Sequence, residues 1–340
     1  MSDYSTLLRA LVMRRSLEPS EMAASIGAIM DGDWSATQAA AFLAALAVKG
    51  ETAQEVYGAA EAMRARSVRV EHELPLVVDT CGTGGDGAHT INISTAVGFV
   101  VAGAGLPVAK HGNRAASSLC GSADVLEASG ITIDASPEVA REQLEIKRFA
   151  FLFAQAYHPA MKVVGPVRRE LGIRTIFNVL GPLANPARAT HQIIGVSNPA
   201  TLELVGEALI RLGVRGGAVV HALNGIDEIA GDAPSEVFEF SAQGPRRYRI
   251  DPSDYGIHAP LETLAGGDPS ANAAALAAIL QGERSPRAEV VALNAALAFV
   301  IAERAEGLRE GLALARESLR GGSALAVFQS LRRSTEVQFV

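Results

Sequence analysis

The sequence predicts an α/β fold with two parts: a small all-helical N-terminal domain, and a larger α/β domain with a central, mostly parallel sheet. Two observations lead to this prediction. The first 70 residues carry helix signals and no strand pattern, and from Leu74 onward short apolar strands alternate with helices. The length of 340 residues suits two domains, since one domain usually takes about 100–200 residues. We therefore predict a helical domain over residues 1–70 and an α/β domain over residues 71–340.

The predicted helices of the first domain begin at recognisable caps. Residues 35–38 (Ser-x-x-Gln) and 52–55 (Thr-x-x-Glu) are capping boxes, in which both end side chains satisfy backbone donors. Pro19 begins an earlier helix that stops near Gly32, and Gly50 ends the helix that follows residue 35. This spacing predicts short helices joined by tight turns.

Strand and helix patterns alternate through the rest of the chain, which favours parallel strand pairs covered by helices. The last two strand candidates are close enough to form a hairpin or adjacent edge strands. The strand candidates are residues 76–78, 108–110, 149–153, 192–196, 218–221, 236–240 and 246–250, and the helix candidates are residues 94–104, 122–129, 137–147, 201–212, an Ala-rich run from 272, 288–304, 308–319 and a last helix after 322.

Composition and charge narrow the function classes. The chain is 49% hydrophobic and 20% charged, as in globular proteins, and its net charge of −7 provides no global positive field for nucleic acid or an anionic membrane. An anionic ligand must therefore meet a local positive patch. Cys81 and Cys120 are the two cysteines, too few for a disulfide framework. With no signal-peptide pattern and no apolar stretch of about 20 residues, we expect a soluble, cytoplasmic protein.

A glycine cluster directly follows the first predicted strand. Gly82, Gly84 and Gly87 match the G-x-G-x-x-G pattern, whose glycines let backbone N–H groups approach a phosphate. A dinucleotide-binding fold also needs an acidic residue about 20 positions further on, but residues 88–123 contain no Asp or Glu. NAD binding is therefore disfavoured, whereas a phosphate-binding loop and a ligand-free turn both remain open.

Two further segments could complete an anion site. Residues 92–95 (Asn-Ile-Ser-Thr) open a helix, where Ser94 or Thr95 is either a simple N-cap or part of an anion site, with a hydroxyl that can join a Mg²⁺ shell. Residues 110–118 (KHGNRAASS) follow the second strand and supply the formal positive charges of this region. They form either an exposed loop or a ligand site, and the Gly/Ser turn that follows at once favours the latter.

Three charged residues further along are the remaining candidates. Arg168 could bind a carboxylate bidentately, or it could be a solvated charge paired with Glu170 or an i+4 partner. Asp227 and Glu228 follow a predicted strand and could hold a hard cation directly or through water. A solvated acidic loop is the alternative, and these residues alone do not decide between the two.

Five segments taken together resemble the anthranilate phosphoribosyltransferases, in the expected order and over nearly the whole chain. The resemblance implies transfer of the phosphoribosyl group of phosphoribosyl pyrophosphate (PRPP) to the amine of anthranilate, with release of pyrophosphate. This is the second step from chorismate in tryptophan biosynthesis. The segments are 79–95 (DTCGTGGDGAHTINIST), 109–130 (AKHGNRAASSLCGSADVLEASG), 158–187 (HPAMKVVGPVRRELGIRTIFNVLGPLANPA), 225–229 (GIDEI) and 294–315 (NAALAFVIAERAEGLREGLALA).

The resemblance also implies where PRPP binds. The glycine cluster would line the pyrophosphate and ribose, the helix start after it would hold PRPP, and the 110–118 segment would embrace the phosphates. The implied PRPP-binding residues are Gly82, Gly85, Asp86, Thr90, Asn92, Ile93, Ser94, Thr95, Lys110, His111, Gly112, Asn113, Arg114, Ala115, Ala116, Ser117, Ser118 and Ser122.

For anthranilate, the resemblance implies that Asn113 and Arg168 place the substrate, with Gly82 nearby and Arg168 facing its carboxylate. His111 and His158 would line the channel by which anthranilate enters. The reaction is an oxocarbenium-like displacement, so no covalent nucleophile is expected. We also expect neither histidine to be an indispensable base, because the arylamine is weakly basic and loses its proton late.

The family further implies two Mg²⁺ ions per active site, one held by Ser94 and a second by Asp227 and Glu228. Its fold places the active site in the cleft between the two domains. Residues of about 158–187 return to the helical domain, so the domains are discontinuous in sequence. Family members are homodimers formed through the small domain, and hinge closure on PRPP is expected.

Two departures from the family pattern stand in the phosphate segment. Leu119 replaces a lysine that many members carry, and Cys120 replaces a serine, so one phosphate-contacting side chain is absent. Two alternative functions stay open at this point. A pyrimidine nucleoside phosphorylase-like enzyme would share the fold but use free phosphate, and a non-catalytic nucleic-acid-binding paralogue would need a basic face.

Overall fold

The computed structural model describes residues 3–115 and 118–332, so the predicted ligands Ala116 and Ser117 lie outside the described residues. Both capping boxes are confirmed: Ser35 and Thr52 each accept a hydrogen bond from the backbone N–H three residues later. As predicted, Gly32 and Gly50 end the second and third helices, where they are the C-cap residues. The N-terminal helices are α1 (Tyr4–Val12), α2 (Pro19–Asp31), α3 (Ala36–Lys49) and α4 (Ala53–Ala65).

Seven strands form one sheet in the order β3-β2-β1-β4-β5-β6-β7. The pairs within the first five strands are parallel, and β6 and β7 are an antiparallel hairpin added to β5. The prediction of a mostly parallel sheet is therefore confirmed. The strands are β1 (Val78–Gly82), β2 (Val108–Gly112), β3 (Phe149–Phe153), β4 (His191–Gly195), β5 (Gly216–Ala222), β6 (Ser235–Ser241) and β7 (Gly244–Ile250).

The predicted bounds of the first strand were wrong. The sequence predicts a strand at residues 76–78, whereas the observed strand begins at Val78 and continues through Asp79 and Thr80. Its buried polar residues are tolerated because each has hydrogen-bond partners, described below. As a result, Gly82 ends a strand and does not belong to the loop that follows it.

Helices cover both faces of the sheet. The helix α5 packs on β1 and β2 together with the C-terminal helices, and α11 packs on β5 and β6 from the opposite face. The helix predicted over 137–147 ends earlier and continues as a π-helical turn at Gln143–Lys147. These helices are α5 (Ile93–Gly103), α6 (Ser122–Ala128), α7 (Pro137–Glu142), α8 (Ala154–Tyr157), α9 (Met161–Leu171), α10 (Phe177–Leu183), α11 (Leu202–Arg211), α12 (Pro269–Leu280), α13 (Pro286–Ile301), α14 (Leu308–Arg320) and α15 (Ser323–Leu331), with 3₁₀ turns at Pro199–Thr201, Pro252–Tyr255 and Leu261–Leu264.

Two helices that follow β3 in sequence pack on the N-terminal helices. The helix α9 contacts α2 and α3, and α10 contacts α4. Val164, Val167 and Phe177 are buried in the same apolar cluster as the N-terminal helices, a cluster that continues to α11 and the sheet. The chain between α4 and β1, residues 66–77, contains neither helix nor strand.

This arrangement brings the carboxyl ends of the parallel strands to one edge of the sheet, which is where α/β proteins bind ligands. The segments that follow β1, β2 and β5 start there, and they carry most of the candidate residues. In the part of the chain that the structure describes, no helix is both long and apolar enough to cross a bilayer.

Candidate active site

The carboxyl ends of β1 and β4 make room for Asp227, which follows β5. Gly82 and Gly195 are partners in the β1–β4 register. A Cβ on Gly195 would overlap the backbone carbonyl of Asp227, and a Cβ on Gly82 would overlap its carboxylate. Both positions therefore require glycine for Asp227 to approach. The Asp227 Oδ2 then accepts a hydrogen bond from the Gly84 N–H at 2.7 Å.

Carboxyl groups gather at this point, and they are half-buried, unlike a solvated acidic loop. Burial, followed by the neighbouring Asp86 carboxylate, raises the pKa of Asp227 to about 6. Burial, followed by the Asp227 charge, raises the pKa of Glu228 to about 8, although the Lys110 ammonium and the Ser94 backbone amide partly offset the rise. Three carboxyl groups with this much mutual repulsion favour the presence of a cation.

The start of α5 lies against the carboxyl group of Glu228. Asn92 is its N-cap, without a side-chain capping bond, so the interpretation of Ser94 or Thr95 as N-cap was wrong. Lys110 is buried and donates hydrogen bonds to the Thr80 carbonyl and, at 3.2 Å, to the Ser94 Oγ. Contact between Lys110 and a phosphate stays a prediction.

These residues fit a magnesium ion. Carboxylate and hydroxyl oxygens, here from Asp227, Glu228 and Ser94, are the hard donors that Mg²⁺ prefers. Among the described residues, no group of three or more carboxylate, imidazole or thiolate side chains is arranged to hold a metal ion. Two carboxylates and a hydroxyl are still compatible with Mg²⁺, which is usually held by one or two carboxylates, waters and substrate phosphates.

Sequence reasoning missed a buried polar network behind the site, centred on Asp79. The Asp79 carboxylate accepts hydrogen bonds from the His111 backbone N–H at 3.1 Å, from Asn185 Nδ2 at 2.8 Å and from Gln192 Nε2 at 3.3 Å. Asn185 Nδ2 also donates to the Ala109 carbonyl. The network ties the ends of β1 and β2 to the chain that follows α10. A buried acid has no spacing signature, and Gln192 lies in none of the segments that carry the family resemblance.

The two histidines predicted in the anthranilate channel are adjacent, with ring centroids 5.1 Å apart. Burial, and then His158, lowers the pKa of His111 to about 3, and burial lowers the pKa of His158 to about 4. The His111 Nδ1–H donates to the Gly181 carbonyl, so its Nε2 carries the lone pair. That Nε2 has no hydrogen-bond partner within the described ranges. Both rings are therefore neutral near pH 7 and weakly basic.

Arg168 lies on α9, on the helical side of the site. Its guanidinium is over the Phe177 ring, 5.8 Å from the centroid, and burial lowers its pKa. No carboxylate of residues 3–115 or 118–332 pairs with it, so the alternative of an ion pair with Glu170 is wrong. A half-buried guanidinium that lacks a carboxylate can accept one from a ligand.

The segment after β2 is held by its own contacts. Asn113 is exposed, its Oδ1 accepts from the Arg114 N–H at 2.8 Å, and its carbonyl accepts from the Ser122 hydroxyl at 3.2 Å. Arg114 pairs with Asp124 and Glu127 and is therefore already neutralised within the protein. The remaining members, Gly112, Ala115 and Ser118, lie along the same turn, partly or fully exposed.

The other predicted PRPP ligands surround the start of α5. The Asn92 amide bridges two segments, donating to the Cys120 carbonyl at 3.1 Å and accepting from Asn272 at 2.9 Å. Thr90 forms an isolated bridge with Ala265. Ile93 and Thr95 are buried, and Leu119, where many members carry lysine, is exposed. The structure thus brings the glycine loop, the start of α5 and the Asp227 turn together.

Two family models and a full-length relative match this chain. A model described as "Glycosyl transferase family, helical bundle domain" matches residues 5–67, and one described as "Glycosyl transferase family, a/b domain" matches residues 74–325. Anthranilate phosphoribosyltransferase of Symbiobacterium thermophilum is 49% identical over 330 residues, covering 97% of both chains. The chain belongs to the anthranilate phosphoribosyltransferase family. The predicted enzyme class and step in tryptophan biosynthesis are thereby confirmed.

Solved structures of anthranilate phosphoribosyltransferases have the same fold. The enzyme of Thermus thermophilus matches with a TM-score of 0.91 and 43% identity, covering 96% of this chain and 98% of that chain. The Saccharomyces cerevisiae enzyme, in complex with PRPP and Mg, matches with a TM-score of 0.88 and 26% identity, covering 96% of both chains. The yeast enzyme has also been solved in complex with 4-fluoroanthranilate.

Proposed function

We propose that this chain transfers the phosphoribosyl group of PRPP to the amine of anthranilate and releases pyrophosphate. Relatives of this family at 49% identity support the activity, and the yeast complexes support both substrates. The observation that carries the proposal is the Asp227 carboxylate held against the glycine loop, beside Ser94 and Glu228. It joins a phosphate-binding backbone to a cation site.

Pyrophosphate and ribose would lie on the glycine loop and the start of α5. Bare N–H groups of the loop and the helix N-terminus favour an anion there. Two Mg²⁺ ions would be held, one by Ser94 and one by Asp227 and Glu228, and when bound they would neutralise the phosphate oxygens. Asn113, Ser118 and Ser122 would contact PRPP from the segment after β2.

The reaction breaks the bond between the ribose C1 and a pyrophosphate oxygen, and the electron pair leaves with pyrophosphate. The anthranilate nitrogen forms the new bond to C1 from the opposite face and then loses a proton to solvent. The transition state has oxocarbenium character, so positioning and electrostatic stabilisation supply the catalysis, and no covalent nucleophile is needed.

Arg168 would bind the anthranilate carboxylate, and His111 and His158 would form the channel wall. The unpaired, half-buried guanidinium supports this role, because a bidentate carboxylate replaces the water it loses. The low pKa values of both histidines make them poor proton acceptors. Positioning of anthranilate therefore falls to Arg168 and Asn113.

We also infer that residues of about 158–187 belong to the helical domain, since α9 and α10 pack on its helices, and that the cleft between the domains holds the site. A cytoplasmic homodimer formed through that domain is part of the same proposal. Val12 and Val48, on the contacting helices α1 and α3, are 68% and 76% exposed, Met13 directly after α1 is 80% exposed, and a partner would cover them.

The activity is tested by the loss of anthranilate fluorescence when purified protein, PRPP and Mg²⁺ are combined, with EDTA as the control. Loss that requires all three components supports the reaction and the metal together. Arg168→Ala should raise the KM for anthranilate by about tenfold or more, since a charge-assisted pair is lost. If folded protein consumes no anthranilate while PRPP stays intact, the acceptor is wrong.

A further inference from the structure

The Arg174 side chain, from the chain between α9 and α10, lies against the glycine loop. A Cβ built on Gly85 would lie 2.8 Å from an Arg174 Nη, so the guanidinium sits directly against the loop backbone. Gly85 has a φ of +74°, which residues with a side chain rarely adopt. The loop is thus open toward Arg174.

Arg174 is exposed and has no ion-pair partner in residues 3–115 and 118–332. Its backbone, in contrast, is fixed on both sides. Gly172 donates its N–H to the Arg168 carbonyl at the end of α9, and Thr175 donates its N–H to Asn178 Oδ1 at the start of α10. The fixed backbone keeps this unpaired guanidinium within reach of the glycine loop, where it can pair with an anion.

The charges around the loop indicate which anion. The carboxyl groups of Asp227 and Glu228 stand where pyrophosphate would lie, with Asp227 against the loop N–H, and Lys110 is buried and turned to Ser94. A highly charged diphosphate therefore needs positive charge on the open side of the loop. Of the cations described above, Arg174 lies on that side, in contact with Gly85.

We propose that Arg174 binds the pyrophosphate of PRPP from the helical side of the cleft, an inference that rests on the proposed function. As the bond between C1 and oxygen breaks, the leaving pyrophosphate gains negative charge, and the guanidinium stabilises that charge through paired hydrogen bonds. Arg168 then binds the carboxylate of anthranilate, and Arg174 binds the diphosphate of PRPP.

The test compares Arg174→Ala and Arg174→Lys with Arg169→Ala, a matched control, because Arg169 is an exposed arginine of α9 outside the proposed machinery. The readouts are kcat, the KM for each substrate, and the calorimetric affinity for pyrophosphate with Mg²⁺ in the full chain. We expect Arg174→Ala to raise the KM for PRPP and the Kd for pyrophosphate by about 10–100-fold. The KM for anthranilate should change less than about threefold.

Arg174→Lys should recover part of the affinity, because lysine keeps the charge and loses the bidentate geometry. Unchanged pyrophosphate affinity in Arg174→Ala would overturn the inference, and so would a change confined to the KM for anthranilate. Arg174→Gln is measured in the same way if the alanine variant does not fold. Wild-type protein that binds pyrophosphate but transfers nothing to anthranilate would overturn the proposed function and leave the Arg174 result standing.

Discussion

The Asp227 carboxylate and the Gly84 backbone N–H are joined by a 2.7 Å hydrogen bond across 143 residues of sequence. The bond connects the turn after β5 with the loop after β1. These two strands lie on either side of β4 in the sheet. Through it, the proposed cation site and the proposed phosphate loop become one rigid unit. The geometry of either part then depends on the other.

The two glycines beneath Asp227 should respond differently to alanine. Gly195→Ala forces the backbone of Asp227 to move, so we expect a loss of about 2 kcal/mol or more in unfolding free energy. The three atoms nearest a Cβ on Gly82 belong to the Asp227 carboxylate, which can rotate away, so for Gly82→Ala stability should change little while the Mg²⁺ requirement rises. Urea denaturation and Mg²⁺ titration of activity measure the two effects. Gly307→Ala is the control, because its Cβ would meet no atom of the described residues within 4 Å. Equal destabilisation by both substitutions would contradict this account.

Asp227→Asn keeps the shape of the side chain and removes its charge. Because Mg²⁺ binds carboxylate far better than amide oxygen, we expect the Mg²⁺ concentration for half-maximal rate to rise about tenfold or more. Initial rates over a Mg²⁺ series at fixed PRPP measure this. Asp134→Asn removes an exposed carboxylate elsewhere on the chain and should leave the curve unchanged. Coincident Mg²⁺ curves for Asp227→Asn and the wild type would show that Asp227 does not bind the cation.

His111→Ala should keep more than about a thousandth of the wild-type kcat, because a group with a pKa of about 3 is a poor base near neutral pH. We expect a moderate loss, through the missing channel wall, that falls more on the KM for anthranilate than on kcat. Steady-state kinetics at saturating PRPP provide the test. A greater fall in kcat, with folding intact, would make His111 an essential base.

His158 should make the protein less stable in mild acid. Its pKa is about 4 in the folded chain, against about 6.5 for an unperturbed histidine, so below pH 6.5 the unfolded chain binds the extra proton. Unfolding free energy therefore falls as pH drops from about 6.5 toward 4, by up to about 1.4 kcal/mol per pH unit for this group. His158→Gln should flatten this dependence in urea titrations at pH 7.5, 6.5 and 5.5.

His258→Gln replaces an exposed histidine and serves as the control for this titration. It should leave the acid dependence as it is in the wild type. An equal slope for wild type and His158→Gln would mean that His158 accepts its proton without unfolding, which its burial argues against.

Much of the fold could be predicted because its signals are local. The capping boxes at Ser35 and Thr52 fixed two helix starts, and the hairpin of β6 and β7 followed from two strand patterns close together. The extent of β1 could not be predicted in this way. Asp79 and Thr80 are polar, and their burial is tolerated because hydrogen-bond partners come from distant segments, such as Asn185 for Asp79.

The candidate site was predicted as a set of segments and not as an arrangement. Spacing along the chain gave no sign that Lys110 turns inward to Thr80 and Ser94, or that Arg114 is paired within its own loop. Arg174 was part of a quoted segment but had no assigned role, because its meaning depends on contact with Gly85. Such relationships exist only once the sheet has brought its loops together.

The packing of α9 and α10 on the first four helices has a consequence for synthesis on the ribosome. The N-terminal helices emerge first, yet Val164, Val167 and Phe177, which share their apolar cluster, lie beyond three strands of the sheet in sequence. The nascent helical layer therefore stays incomplete until much of the α/β part has been translated. An N-terminal fragment ending before β1 should accordingly require chaperones or aggregate, whereas the finished chain should not.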